Sequence, residues 1–251
     1  MIFYGKTDVG QRRADNQDNF IIRKYADDVI FAVVCDGMGG ANGGSVASAI
    51  AAEAFAKVLD RHESECPSFF GMDEDGIFDM LSEAVNEANG AVYDKGSTDE
   101  NLSGMGTTLV ACIIAGEHAY VINVGDSRLY VAENESITQV TRDHSYVQYL
   151  VDIGRMTPEE AKNSKIKNAI TRCVGTEKNV GPDIFTCDMK PGCCAILCTD
   201  GLTNHVEPSE IRGIVKEIGN TVDVQGACEA LIDCANDRGG LDNITAVILS
   251  V

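Results

Sequence analysis

Four apolar runs of strand length mark the chain: VIFAVVC at 29–35, YVINVG at 120–125, CAILCT at 194–199 and ITAVILSV at 244–251. Asp36, Asp126 and Asp200 directly follow the first three, and Asp242 with Asn243 precedes the fourth. Successive strands can reverse direction in an antiparallel sheet. If the last run opposes the other three, all four carboxylates emerge from one edge. Between these runs, Val46, Ala49, Ile50, Phe55, Val58 and Leu59 fall near helical spacing, and Ile77, Met80, Leu81, Ala84, Val85 and Ala88 do so more strictly. Two amphipathic helices are predicted there, each with an apolar face that must cover something.

The remaining pattern fills in the order of elements. Residues 1–35 read as an opening β region in which Asp18 leads into NFIIRKY. From Thr107 to about Val140 the segments TTLVACII, AYVINVG and SRLYVAE read as strands whose short connections imply antiparallel hairpins. Residues 144–176 break the pattern with Gln, Asn, Lys and Arg, and there Thr157-Pro158-Glu159-Glu160 has the capping-box form of a helix start. A strand ending at Thr199, helices near 208–218 and 223–236, and a final strand from Ile244 complete the chain. Strands in consecutive blocks and helices in two pairs predict an α/β (α+β) fold: a four-layer α-β-β-α sandwich with two largely antiparallel central sheets, and residues 144–176 inserted as a flap.

Length and charge narrow the possibilities. A chain of 251 residues with no Pro-, Gly- or Ser-rich linker is expected to form one domain. Its net charge of −19 argues against nucleic-acid or anionic-membrane partners, which require a basic face. The apolar run at 29–35 is too short to span a bilayer, and MIFYGKTDVG lacks the form of a signal peptide, so a soluble, cytoplasmic chain is expected. The ten cysteines lie mostly inside apolar runs, with no C-x-x-C pair. They read as reduced core residues rather than as disulfide or zinc partners.

Chemistry concentrates at the strand ends. Asp36-Gly37-Met38-Gly39-Gly40 ends a buried strand with a carboxylate, and Gly37 permits close backbone approach to a ligand. On its own the segment is equally an ordinary strand-to-helix turn, and no Gly-Lys-Ser/Thr follows to make it a nucleotide loop. Asp126-Ser127 could likewise be a hairpin turn, and Arg12 or Arg13 a solvated surface charge. Four carboxylates gathered together would need cations. A set of carboxylates, a carbonyl and waters suits Mg²⁺ or Mn²⁺ rather than zinc or copper.

RADNQD at 13–18, DGMGG at 36–40, GMGTT at 104–108, VGDSRLY at 124–130, TRDHS at 141–145, CTDG at 198–201 and DNITAVI at 242–248 together carry a resemblance. In order and distance they are similar to the motif series of the metal-dependent type-2C protein serine/threonine phosphatases, especially the short bacterial members. The resemblance implies a two-metal centre in which Asp36 bridges both ions, the Gly37 carbonyl binds one, and Asp200 and Asp242 complete the other shell. It further implies a third, looser metal near Asp126 and Asp200, an Asp18 that orients metal-bound water, and an Arg13 that clamps the substrate phosphate. The implied activity is hydrolysis of phosphoserine and phosphothreonine by direct attack of a metal-bridging water or hydroxide. Phosphorylated proteins would be the substrates, a Ser/Thr kinase the opposing partner, and a monomer the expected state.

The chain departs from the family pattern at two positions. Met38 stands where many eukaryotic members place a general-acid His, and Gln17 where some place an acidic residue. Water is then the simplest proton donor, and His144 is expected to anchor the flap. Residues 141–180 hold seven of the twenty basic residues. That charge either attracts phosphorylated segments or is a solvated helix face. A catalytically silent binding module and a different two-metal phosphoesterase are the competing function classes, the first opposed by the intact aspartate set.

Overall fold

The computed structural model describes residues 1–69, 72–133, 135–216 and 223–251. The strands are β1 (Ile2–Asp8), β2 (Asp18–Ala26), β3 (Val29–Met38), β4 (Gly106–Thr107), β5 (Leu109–Ala115), β6 (His118–Val124), β7 (Arg128–Glu133), β8 (Ser136–Gln139), β9 (Asp183–Asp188), β10 (Cys194–Cys198) and β11 (Ile244–Ser250). The helices are α1 (Gly40–Glu65), α2 (Glu74–Thr98), α3 (Tyr146–Asp152), α4 (Pro158–Lys162), α5 (Asp200–Thr203), α6 (Pro208–Lys216) and α7 (Val224–Asp237). One sheet has the order β1-β11-β10-β7-β8 and the other β2-β3-β5-β6-β9, with β4 paired to β3.

Strand alternation divides the apolar residues among three layers. On β3, Phe31, Val33 and Cys35 point toward α1 and α2, where Phe55, Leu59, Leu81 and Val85 meet them. Ile30, Ala32 and Val34 on the same strand face the second sheet and pack with Leu129, Ala195, Leu197, Val247 and Leu249. The outer face of that second sheet, including Ile196, Ala246 and Ile248, buries Ile211, Cys228 and Leu231 of α6 and α7. This is the four-layer sandwich expected from the pattern, and a strand buried on both faces explains why residues 29–35 read as a continuous apolar run.

One expectation fails. The short connection from β6 to β7 is not a hairpin, since β6 pairs with β5 and β9 while β7 pairs with β10 and β8. Residues 125–127 instead carry the chain from one sheet to the other. The hairpin reading used loop length alone, which cannot distinguish a reversal within one sheet from a step between two stacked sheets. The helix expected over 208–218 runs through Lys216, with residues 217 and 218 outside the described residues. All ten cysteines are free, and six are buried. Among the described residues no helix is long and apolar enough to cross a membrane.

The flap contains α3 and α4. Ser145 caps α3 by accepting from the Gln148 N–H, and Thr157 and Glu160 form the anticipated capping box on α4. The bridge Ser145–Ile170 closes the flap on itself, and the bridge Thr107–Val174 ties its end to β4.

Because Phe31 is fully buried and stacks on Phe55 with ring centroids 5.7 Å apart, Phe31→Ala should cost about 3–5 kcal/mol of folding free energy. Urea unfolding measures it, with far-UV circular dichroism showing that the fold survives.

Candidate active site

All five aspartates singled out from the sequence come to one edge of the sandwich. Asp18, the first residue of β2, stands directly opposite Asp36 on β3. Asp126 lies in the step between sheets, Asp200 begins α5, and Asp242 precedes β11. The last strand runs antiparallel to β10, so a residue before β11 and a residue after β10 share an end, as the sequence argument required.

The backbone around these carboxylates is closely fitted. A Cβ on Gly37 would lie 2.0 Å from the Gly44 carbonyl oxygen, and one on Gly201 would lie 1.9 Å from that of Asn243. Gly37 therefore lets β3 pass against the first turns of α1, and Gly201 lets α5 pack against the entry to β11. The Asp36 carbonyl accepts from the Thr108 N–H and the Thr107 hydroxyl, each at 2.8 Å, and the Thr108 hydroxyl accepts from the Asp36 N–H at 2.9 Å. These bonds fix the strand end that presents the carboxylate.

Three groups missed in the sequence reading hold the site together. The hydroxyls of Thr199 and Thr245 donate to Asp18 Oδ2 at 2.9 and 2.6 Å, linking a residue of one sheet to β11 and the end of β10 in the other. Asn243 donates to the carbonyls of Val9 and Asp15 and accepts from the Gln17 N–H, which ties the loop carrying Arg13 to Asp242. Arg128 grips Asp143 through Nε at 2.9 Å and Nη2 at 2.6 Å, with Nη1 donating to the Tyr130 hydroxyl. The VGDSRLY and TRDHS strings both stand out in the sequence, but no spacing rule indicates that residues 128 and 143 meet.

Arg13 donates to Asp242 Oδ2 at 2.7 Å and is about half exposed, which separates it from its neighbour Arg12. His144 is not aimed at the aspartates. Its Nδ1 accepts from the Gly125 N–H, and Nε2 lies 3.2 Å from Asp183, so both ring nitrogens are engaged at the flap base. Burial, together with the nearby Arg172, lowers its pKa and keeps the imidazole neutral against the opposing pull of Asp183. Of the flap cations, Arg142, Lys162 and Arg172 are engaged with Asp152, Glu207 and Asp183. The positive field is weaker than seven basic residues suggest.

Burial, with like charge added to it, sets the electrostatics at the edge. Burial raises the Asp18 carboxyl to about 7, against its threonine donors, and raises Asp200 to about 6 with a further push from Asp242. Burial and Asp200 bring Asp126 to about 8, and Asp36 is driven well above its ordinary range by burial and by the other four aspartates. Asp18 Oδ1, Asp126 Oδ1 and Asp200 Oδ1 are buried without a hydrogen-bond donor. Buried oxygens without donors on crowded carboxylates match the donor set of a hard cation. Among the described residues no three His, Cys, Asp or Glu side chains enclose an ion by themselves. Such a cation would rely on one or two carboxylates at a time, with carbonyl and water oxygens completing its shell.

A family model described as Protein phosphatase 2C matches residues 9–234. The serine/threonine phosphatase stp of Listeria welshimeri is 34% identical over 244 residues, covering 97% of this chain and 93% of that one. The crystal structure of the Mycobacterium tuberculosis serine/threonine phosphatase PstP superposes with a TM-score of 0.84 at 32% identity, covering 100% of this chain and 99% of that one. The catalytic domain of PstP in complex with two manganese ions gives 0.79 at 31% identity, covering 98% of this chain and 96% of that one.

The raised carboxyls predict a pH dependence. A folded acid with pKa above its ordinary value near 4 binds more protons than the unfolded chain, so stability falls as pH rises through the interval between them. With EDTA present, Tm should therefore fall between about pH 5 and pH 8 as Asp200, Asp18 and Asp126 ionise at about 6, 7 and 8. Differential scanning calorimetry across that range tests it, and a Tm that rises instead would reverse the assignment.

Proposed function

The chain belongs to the protein phosphatase 2C family, and on that premise we propose that it is a metal-dependent protein phosphatase hydrolysing phosphoserine and phosphothreonine in protein substrates. The observation that carries the reading is the set of buried, donorless aspartate oxygens gathered at one edge of the sandwich. Residues 1–251 act as one catalytic domain, with residues 144–176 as its flap. The opposing enzyme is a Ser/Thr kinase, the working state a monomer, and the location the cytoplasm.

Asp36 and the Gly37 carbonyl, with Asp200 and Asp242, would hold two Mn²⁺ or Mg²⁺ ions, and Asp126 with Asp200 a third. Bound there, such ions neutralise phosphoryl oxygens and make water a competent nucleophile at neutral pH. The protein's own groups supply binding and orientation. Arg13 offers a planar guanidinium suited to bidentate contact with the phosphate, and it must share or leave Asp242 to make that contact. Asp18 is fixed through Oδ2 by two threonines, which leaves Oδ1 to accept from the attacking water and orient it. His144 has no free ring nitrogen for the leaving group, so the proton comes from water.

Phosphate release from a phosphothreonine peptide should require Mn²⁺, stop with EDTA, and fall by more than about 100-fold in Asp36→Asn. Substituting a partner behind a metal ligand already costs roughly 10–100-fold. No turnover by the metal-loaded native chain would favour the silent binding module. Arg13→Ala should raise KM for peptide and aryl phosphate alike, because each presents the same phosphate; steady-state kinetics on both substrates provides the check. Added Mn²⁺ should raise Tm more at about pH 8 than at pH 5, since its ligands must first lose their protons.

A further inference from the structure

A groove of about 340 Å³ opens beside the aspartate edge, between the flap and the corner formed by α5 and α6. Asp126 and Asp200 line its inner end, so it is continuous with the proposed metal site. The outer part has a different character, with Val147, Val151, Pro158 and Ala161 on the flap side and Pro208 opposite. Val147 and Val151 are four apart on α3, and Pro158 and Ala161 three apart on α4, so each short helix turns one apolar face inward.

Several charged members of the lining pair with each other. Arg128 and Asp143 hold each other, and Lys162 of α4 pairs with Glu207 just before α6, joining the flap to the body at the rim. Lys167 also lines the groove. The five apolar residues form a strip of the recess beside Gln148, Asn168, Thr203 and Asn204, and the groove lies within the usual size of roughly 300–1,000 Å³ for ligand sites. An apolar cavity of about 150 Å³ already accepts a benzene ring, so a large side chain fits.

We propose that this groove is a specificity subsite that takes an apolar side chain, aliphatic or aromatic, adjacent in sequence to the phosphorylated residue of the substrate protein. The proposal rests on the phosphatase reading above. Its occupant follows from continuity: a phosphoresidue seated at the aspartate edge carries its neighbours along a chain that advances about 3.3–3.6 Å per residue. The first side chains to either side are thus the groups that reach the recess. Burying an apolar group there strengthens binding without using the metal site.

The test is a panel of phosphothreonine peptides in which each neighbouring residue in turn is Leu or Ser, assayed with the full chain and Mn²⁺, with an aryl phosphate alongside. At one position Leu should raise kcat/KM about tenfold or more over Ser, in the range an apolar pocket gives for a small change in bulk. Ala161→Leu, which fills the recess, should reduce that ratio below about twofold, and Val151→Thr, which keeps shape but adds a hydroxyl, should reduce it severalfold. Because the readout is a ratio within each variant, a general loss of activity does not imitate the result. Equal turnover of Leu and Ser peptides by the native chain overturns the groove and leaves the phosphatase reading intact. A native preference that both variants retain places apolar recognition elsewhere and also overturns it. No release from any peptide or from the aryl phosphate overturns the phosphatase reading, and the subsite falls with it.

Discussion

The confinement of five aspartates to one edge is the constraint on which the rest of the structure depends. Burial disfavours the ionised forms of Asp18, Asp36, Asp126 and Asp200, and the charges of neighbouring aspartates add to the effect. Taken out of water, each such charge loses solvation worth several kcal/mol unless a partner replaces it. The nearby cations are few: Arg13 reaches Asp242, and Arg128 is already committed to Asp143. An arrangement so unfavourable to its own charge persists only because a rigid scaffold imposes it.

The scaffold imposes it through the stacking of two sheets. Neither sheet carries the whole set: Asp18 and Asp36 belong to one, while Asp200 and Asp242 flank strands of the other. The site exists only where the sheets are held in register, and the inner layer of Ile30, Val34, Leu197 and Val247 supplies most of that hold. Polar cross-links complete it. The threonine hydroxyls on Asp18 connect the sheets at the edge itself, and Asn243 secures the Arg13 loop from the first residues of β11's approach.

The flap is attached by a comparable logic. His144 couples the step between sheets, at Gly125, to Asp183 at the start of β9, and the residue before it, Asp143, anchors Arg128. The base of the flap is thereby fixed on both sides of the aspartate edge. Its helices contribute apolar residues to the lining of the groove next to Asp126 and Asp200.

Much of this was legible in the chain. Alternation and continuity of apolar residues located β3, β6, β10 and β11, capping chemistry located α4, and aspartates at strand ends identified the edge, because these signals are local and follow from backbone geometry. The step at Asp126-Ser127 was misread, since two residues cannot reveal whether the next strand lies beside the last or beneath it. The pairings of Arg128 with Asp143, and of Asp18 with Thr199 and Thr245, were invisible for a related reason: they join positions far apart in sequence that meet only after the sheets stack. The sequence by itself determined which aspartates stand at strand ends and which strands present them. Only the tertiary structure decided how the carboxylates are clamped, which cations are already engaged, and where the flap leaves room, because those depend on the packing of two sheets and an insertion that no local pattern encodes.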